Sequence, residues 1–257
     1  MMKSQYVIAA NWKMNMTLEE CEEFLDKFKN LLLDIPESKV IFCPPFSALF
    51  TMNVLLEGTS YVLGAQNVYW EDKGAFTGEV SAEMLISCNV SHVIIGHSER
   101  RQLFGETNET VNKRTTKTLS SGLTPIMCIG ETIEQRNNDE TLAILKEQLM
   151  VGLNGIKSEN INKMIFAYEP VWAIGTGERA EPDQIAEAHH AIRNVLTDAG
   201  ATDAASIPIL YGGSVNSKNV KELLKIKEVN GYLIGGASLD AEEFVSIIHQ
   251  TENHIKE

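Results

Sequence analysis

Eight short apolar runs recur along this 257-residue chain, and none shows the apolar–polar alternation of a strand wetted on one side. They are Tyr6–Ala10, Val40–Cys43, Tyr61–Ala65, His92–Ile95, Thr124–Ile129, Met164–Tyr168, Ile207–Tyr211 and Gly231–Ile234. A strand apolar on both faces needs cover on both, which a parallel sheet backed by helices supplies. Helical patterns lie between the runs. Thr17-Leu18-Glu19-Glu20 opens the first, with Thr17 as N-cap and Glu20 at the capping-box position. Its apolar residues Cys21, Phe24, Leu25, Phe28, Leu31 and Leu32 recur at helical spacing. A second helix is predicted from about Asp183 to Ala199, stopped by Gly200, and a last one from about Ala241 to Thr251.

Eight strand–helix units in about 250 residues fit an α/β architecture closed into a parallel (β/α)8 barrel in both count and length. The competitor is an open doubly wound sheet, which usually carries a glycine fingerprint after its first strand. Here the first strand runs into Asn11-Trp12-Lys13-Met14-Asn15, without a glycine. No linker, low-complexity stretch or composition shift divides the chain, so residues 1–257 read as one barrel domain.

The net charge of −13 argues against a nucleic-acid partner, which needs a basic face. It leaves a small anionic substrate open, because local lysines and helix N-termini can build a positive pocket on an acidic protein. Cys21, Cys43, Cys88 and Cys128 lack the paired spacing of zinc or redox motifs and read as buried thiols of a reducing compartment. The only apolar run near the N-terminus is Tyr6 to Ala10, too short for a signal peptide, and no run approaches membrane-spanning length. These features predict a cytoplasmic protein with no membrane association.

In such a barrel the chemistry sits at the carboxyl ends of the strands. Asn11 and Lys13 follow the first strand, Gln66 and Asn67 the third, and Gly96-His97-Ser98-Glu99-Arg100-Arg101 the fourth. Gly130-Glu131 follow the fifth, Glu169 the sixth, Gly212-Gly213-Ser214 the seventh and Gly235-Gly236 the eighth. Glu169 is either a general base or a strand-end carboxylate in a salt bridge, since a charge at a buried strand's mouth must be used or paired. After it, Pro170 stiffens the chain, Gly175 and Gly177 permit a bend, and Val171, Trp172 and Ile174 suit a lid that excludes water.

The two glycine pairs stand where barrels bind phosphate, and Ser214 adds a donor. One such pair is more often only a tight turn; two in these places favour phosphate. His97 stands where a helix begins, a position that favours neutral imidazole, which can polarise a carbonyl. An isolated loop histidine is more often structural, and a lone lysine such as Lys13 is more often solvated. Glu99, Arg100, Arg101 and Glu106 read as ion pairs that hold loops. Together a carboxylate base, a neutral electrophile, a cation, a phosphate cradle and a lid suit proton abstraction beside the carbonyl of a small phosphate ester. No metal-ligand cluster or cofactor motif is visible.

The segments Asn11–Asn15, Gly96–Arg101, Ala167–Gly177, Tyr211–Asn216 and Gly235–Leu239 resemble, in order and across the chain, the triosephosphate isomerase family. That resemblance implies a TIM barrel interconverting dihydroxyacetone phosphate and D-glyceraldehyde 3-phosphate through an enediolate, without cofactor, in glycolysis and gluconeogenesis. It implies Glu169 as base, His97 as neutral electrophile, Lys13 as cation and Asn11 as an orienting group; the Glu/His division is a known example of pKa tuning. It implies phosphate binding by Gly175, Ser214, Gly235 and Gly236. Glu99 and Ser98 would support the site from behind, with Cys128 packed behind Glu169. It further implies a homodimer, in which the loop Lys73–Glu79, with Thr77, enters the partner near Asn11 and His97. Ala10, His92 and Asn230 depart from residues frequent in the family, away from the matched catalytic positions. A Schiff-base aldolase, which needs a buried strand-end lysine, and a silent phosphate-binding module remain the other readings.

Overall fold

The computed structural model describes residues 6–173 and 179–256. Its strands are β1 (Val7–Asn11), β2 (Lys39–Cys43), β3 (Val62–Ala65), β4 (His92–Ile95), β5 (Thr124–Ile129), β6 (Ile165–Tyr168), β7 (Ile209–Tyr211) and β8 (Gly231–Ile234). Each pairs in parallel with the next, and β1 pairs with β8 to close the barrel, Val7 opposite Gly231 and Ile8 opposite Tyr232. The chain is therefore a TIM barrel, and the open-sheet alternative falls away.

The lack of alternation has a direct physical counterpart. Val7, Ala9, Ile41, Ile94, Ile126, Cys128, Ile165, Ala167, Leu210 and Leu233 form one core inside the barrel. Ile8, Ala10, Phe42, Val93, Met127, Phe166, Tyr168, Ile209, Tyr211 and Tyr232, one position on, belong to a second core beneath the helices. Both faces of every strand are dry, so apolar residues occupy successive positions.

The helices follow their sequence signals with one extension. Leu18–Leu31 is capped by Thr17, whose side chain accepts from Glu20 N–H in a full capping box. Cys21, Phe24, Leu25 and Phe28 are buried, whereas Leu31 lies on the outer side, 39% exposed. Pro182–Asp198 starts with Pro182 at its first turn, where a missing N–H costs nothing, and gives way to Gly200 at φ +90°. The last helix, Ala241–Lys256, runs past Thr251. Its buried Glu252 accepts from Glu37 N–H at 2.8 Å, Ser38 N–H at 3.0 Å and the Ser38 hydroxyl at 2.5 Å, tying the helix to the entry of β2. Asn230 is fitted in a similar way: its Oδ1 accepts from Arg193 at 2.9 Å and from Ile209 N–H at 3.1 Å.

All four cysteines are free thiols; Cys21, Cys43 and Cys128 are buried and Cys88 half-buried. Among the described residues no helix is long and apolar enough to cross a membrane, and no three His, Cys, Asp or Glu side chains group as a metal site.

Candidate active site

The strand period brings the polar residues together. Continuing the inward-facing sets by two positions past Ala9, Ile94, Ala167, Leu210 and Leu233 leads to Asn11, Gly96, Glu169, Gly212 and Gly235. A cavity of about 300 Å³ opens at this end of the barrel. It is lined by Asn11, Lys13, His97, Glu169, Gly212, Gly213, Ser214, Val215, Asn216, Leu233, Gly235, Gly236 and Ala237. The volume suits a small phosphate ester.

Glu169 is 2% exposed, with both carboxylate oxygens engaged. Oε1 lies 2.9 Å from His97 Nε2, and Oε2 accepts from Ser98 N–H at 2.9 Å. Burial alone would push its pKa up; the imidazole, the Ser98 amide and the Lys13 charge outweigh this and hold it below the ordinary carboxylate value. Gly212 leaves room for the side chain, since a Cβ there would come within 2.9 Å of Glu169 Cγ. The Cys128 thiol lies behind the carboxylate, and burial together with that charge pushes its pKa well up.

His97 caps the helix Ser98–Leu103, and its Nδ1 accepts from Glu99 N–H at 3.2 Å. That bond uses the Nδ1 lone pair, so the network assigns the proton to Nε2, facing Glu169. Burial favours the uncharged ring, but the adjoining carboxylate outweighs it and sets the pKa above the ordinary imidazole value. The helix terminus alone predicts the opposite direction. The carboxylate in hydrogen-bond contact is a full charge, and it dominates the partial charge of a single short helix.

Lys13 Nζ meets Glu99 Oε1 at 2.6 Å, and Glu99 Oε2 stands 3.7 Å from His97 Nδ1. Asn11, 5% exposed, accepts from Lys13 N–H through Oδ1 at 3.1 Å. Glu99 thus binds the lysine rather than a neighbouring arginine. Of the loop-holding pairs, Arg100–Glu106 forms at 2.5 Å. Arg101 instead donates to Gly96 O at 2.7 Å and Cys128 O at 3.2 Å, stitching the β4 and β5 ends together.

Ser214, Gly235 and Gly236 share one wall of the cavity. Gly175, with Ile174 and Gly177 of the expected lid, lies outside the described residues. Thr77 is exposed on the loop after β3 and is not part of the cavity wall.

Sequence reasoning passed over Glu131 and Gln66 as working parts. Glu131 is fully buried. Its Oε1 accepts from Tyr168 Oη and Trp172 Nε1, each at 3.1 Å, and from Arg136 at 3.0 Å; its carbonyl accepts from Val171 N–H. The signal was present: a glutamate directly after a buried strand, the same feature that draws attention to Glu169. Asn216, Val215 and Ala237, which also line the cavity, carry no type-specific signal.

A closed parallel barrel with a carboxylate, an imidazole and a lysine converging on glycine-rich turns at the carboxyl ends of its strands defines a (β/α)8-barrel enzyme. Residues 6–251 match the family model described as triosephosphate isomerase. The chain is 48% identical over 244 residues to a triosephosphate isomerase of Solibacter usitatus, covering 95% of this chain and 98% of that one. It is 46% identical over 247 residues to the enzyme of that name from Geotalea uraniireducens, covering 96% and 98%, and 45% identical to that of Aquifex aeolicus, covering 95% and 98%. The chain belongs to the triosephosphate isomerase family.

Proposed function

We propose that this protein interconverts dihydroxyacetone phosphate and D-glyceraldehyde 3-phosphate through an enediolate, without a cofactor, as a cytoplasmic step of glycolysis and gluconeogenesis. The observation that carries this reading is the contact of Glu169 with His97 at 2.9 Å in a small cavity that also holds Lys13 and both glycine turns. The phosphate sits on the Ser214, Gly235 and Gly236 turns, with Gly175 joining from the loop. Asn11 and Lys13 orient the substrate oxygens. Nε2–H of His97 donates to the carbonyl, and the ionised Glu169 takes the carbon proton and returns it to the adjacent carbon. The imidazole moves a proton between the two oxygens. Glu169 leaves Ser98 and His97 to do this, so substrate must displace it from a satisfied site. Ser98 N–H and Cys128 border the position it leaves, and Glu99 holds Lys13.

The segment from Pro170 to Ala180 closes over the intermediate and keeps water from it; at its start Trp172 Nε1 and Val171 N–H both donate to Glu131. Two copies of the chain associate through the Lys73–Glu79 loop. Met14 beside the site is 95% exposed and Phe76 in the loop 39%, apolar surface that a second copy covers.

A coupled isomerase assay on the protein and on Glu169→Gln tests the reading. The parent isomerises triose phosphate; the variant binds phosphoglycolate yet loses most of its turnover, because an amide cannot accept the carbon proton. Parent-like turnover in Glu169→Gln removes Glu169 as base.

A further inference from the structure

Lys13 reaches the cavity from a backbone conformation that an L side chain rarely adopts, with φ at +53°. The peptide groups around it are tied down on every side. Trp12 N–H donates to Cys43 O at 3.2 Å, and the Trp12 carbonyl accepts from Asn15 Nδ2 at 2.7 Å. Lys13 N–H donates to Asn11 Oδ1 at 3.1 Å. The Lys13 carbonyl accepts from Gln66 Nε2 at 2.8 Å. That same amide nitrogen donates to Cys43 O at 2.9 Å.

Gln66 follows β3, yet its side chain spans the ends of β1 and β2 and does not line the cavity. Both of its neighbours are carbonyl oxygens, so its nitrogen faces them and no acceptor-only side chain can replace it. The lysine stem is constrained further on: a Cβ at Gly235 would stand 3.1 Å from Lys13 Cε, so the stem runs along bare backbone there. Relaxing Lys13 into an ordinary backbone well swings the stem off that track and away from Glu99.

We infer that Gln66 is a positioning residue: its amide holds Lys13 in the left-handed conformation and thereby places the ammonium where it meets the anionic substrate. The inference rests on the proposed role of Lys13 as the site's cation. Gln66 acts only through the lysine, so its removal weakens substrate binding more than it slows a bound substrate.

The test is a double-mutant cycle read by calorimetry with phosphoglycolate and by steady-state kinetics, at one high protein concentration. Gln66→Met keeps the length and removes both donors. It raises KM and the phosphoglycolate Kd by about tenfold with a smaller change in kcat, the worth of a lost orienting hydrogen bond. In a Lys13→Met background the same change alters Kd by less than about twofold, because the group being positioned is gone. Gln66→Leu, which likewise carries neither donor nor charge, behaves like Gln66→Met and serves if the methionine variant does not fold. An equal loss in both backgrounds, or no loss in either, overturns the role of Gln66. Parent-like phosphoglycolate binding by Lys13→Met instead overturns the role of Lys13, and the two failures are told apart.

Discussion

At the scale of the residue, the site was legible where a chemical type stood at a strand end. Glu169 and His97 are recognisable because a charged or titratable group directly follows a buried run, and the strand period then turns Glu169 inward. What was not legible is who holds whom. Glu99 lies beside two arginines in sequence but pairs with Lys13, because β1 and β4 ends converge in space. Nor does sequence show that Glu169 rests on His97, which reverses the expected direction of the His97 pKa. That reversal leads to a prediction. The raised imidazole pKa depends on the Glu169 contact, so Glu169→Gln, which removes the carboxylate charge, removes its main support. Burial then prevails, and the pKa of His97 falls. Nitrogen-15 NMR of the imidazole across a pH series, in the parent and in Glu169→Gln, measures this; an unchanged or higher value in the variant contradicts it.

At the scale of the element, the eight strands are found within about two residues of their apolar runs, since a strand buried on both faces announces itself by composition. Helix starts were readable where capping chemistry marked them, as at Thr17. The end of the last helix was not. Its apolar spacing stops near Thr251, while the turns beyond it are held by a carboxylate, Glu252, that caps backbone N–H groups of a segment more than two hundred residues earlier. Periodicity cannot see such a bond. Glu252→Ala leaves the buried Ser38 N–H and hydroxyl without this acceptor, a loss of about 3 kcal/mol by the cost of unpaired buried donors. Glu252 sits at the amino-terminal end of the barrel, remote from the cavity, where side chains serve stability rather than chemistry. The variant therefore shows a lower denaturant midpoint with parent-like kcat per folded molecule. A stability loss below about 0.5 kcal/mol, the level of an ordinary surface substitution, rejects this staple.

At the scale of the whole molecule, stability against acid is set partly by histidines that the chemistry does not use. His189 is fully buried against the Tyr168 ring at 5.9 Å, with Nδ1 3.3 Å from the Glu228 carbonyl. Burial dominates, and although the Glu228 carbonyl opposes it, burial with a lesser contribution from the Arg193 charge pushes its pKa down to about 3. His92, 6% exposed beside Ser91, is pushed down to about 4 by burial and then by Lys39. In the unfolded chain both rings take up a proton near the ordinary imidazole value of about 6.5. Between that pH and the folded values the unfolded state binds more protons, so stability is complete above about pH 6.5 and falls as pH drops. Two such groups give a slope approaching 2.7 kcal/mol per pH unit below about pH 6, until His92 begins to protonate in the folded state near pH 4. Denaturant midpoints from pH 7 to pH 4.5, at fixed protein concentration because the proposed dimer would make stability depend on it, measure the slope. His189→Gln keeps a donor for the Glu228 carbonyl and cannot titrate. Whatever it costs at pH 7, it should remove about half of the slope, since only His92 then remains of the pair. An acid slope identical to the parent's shows that the loss of stability comes from other groups, the carboxylates foremost.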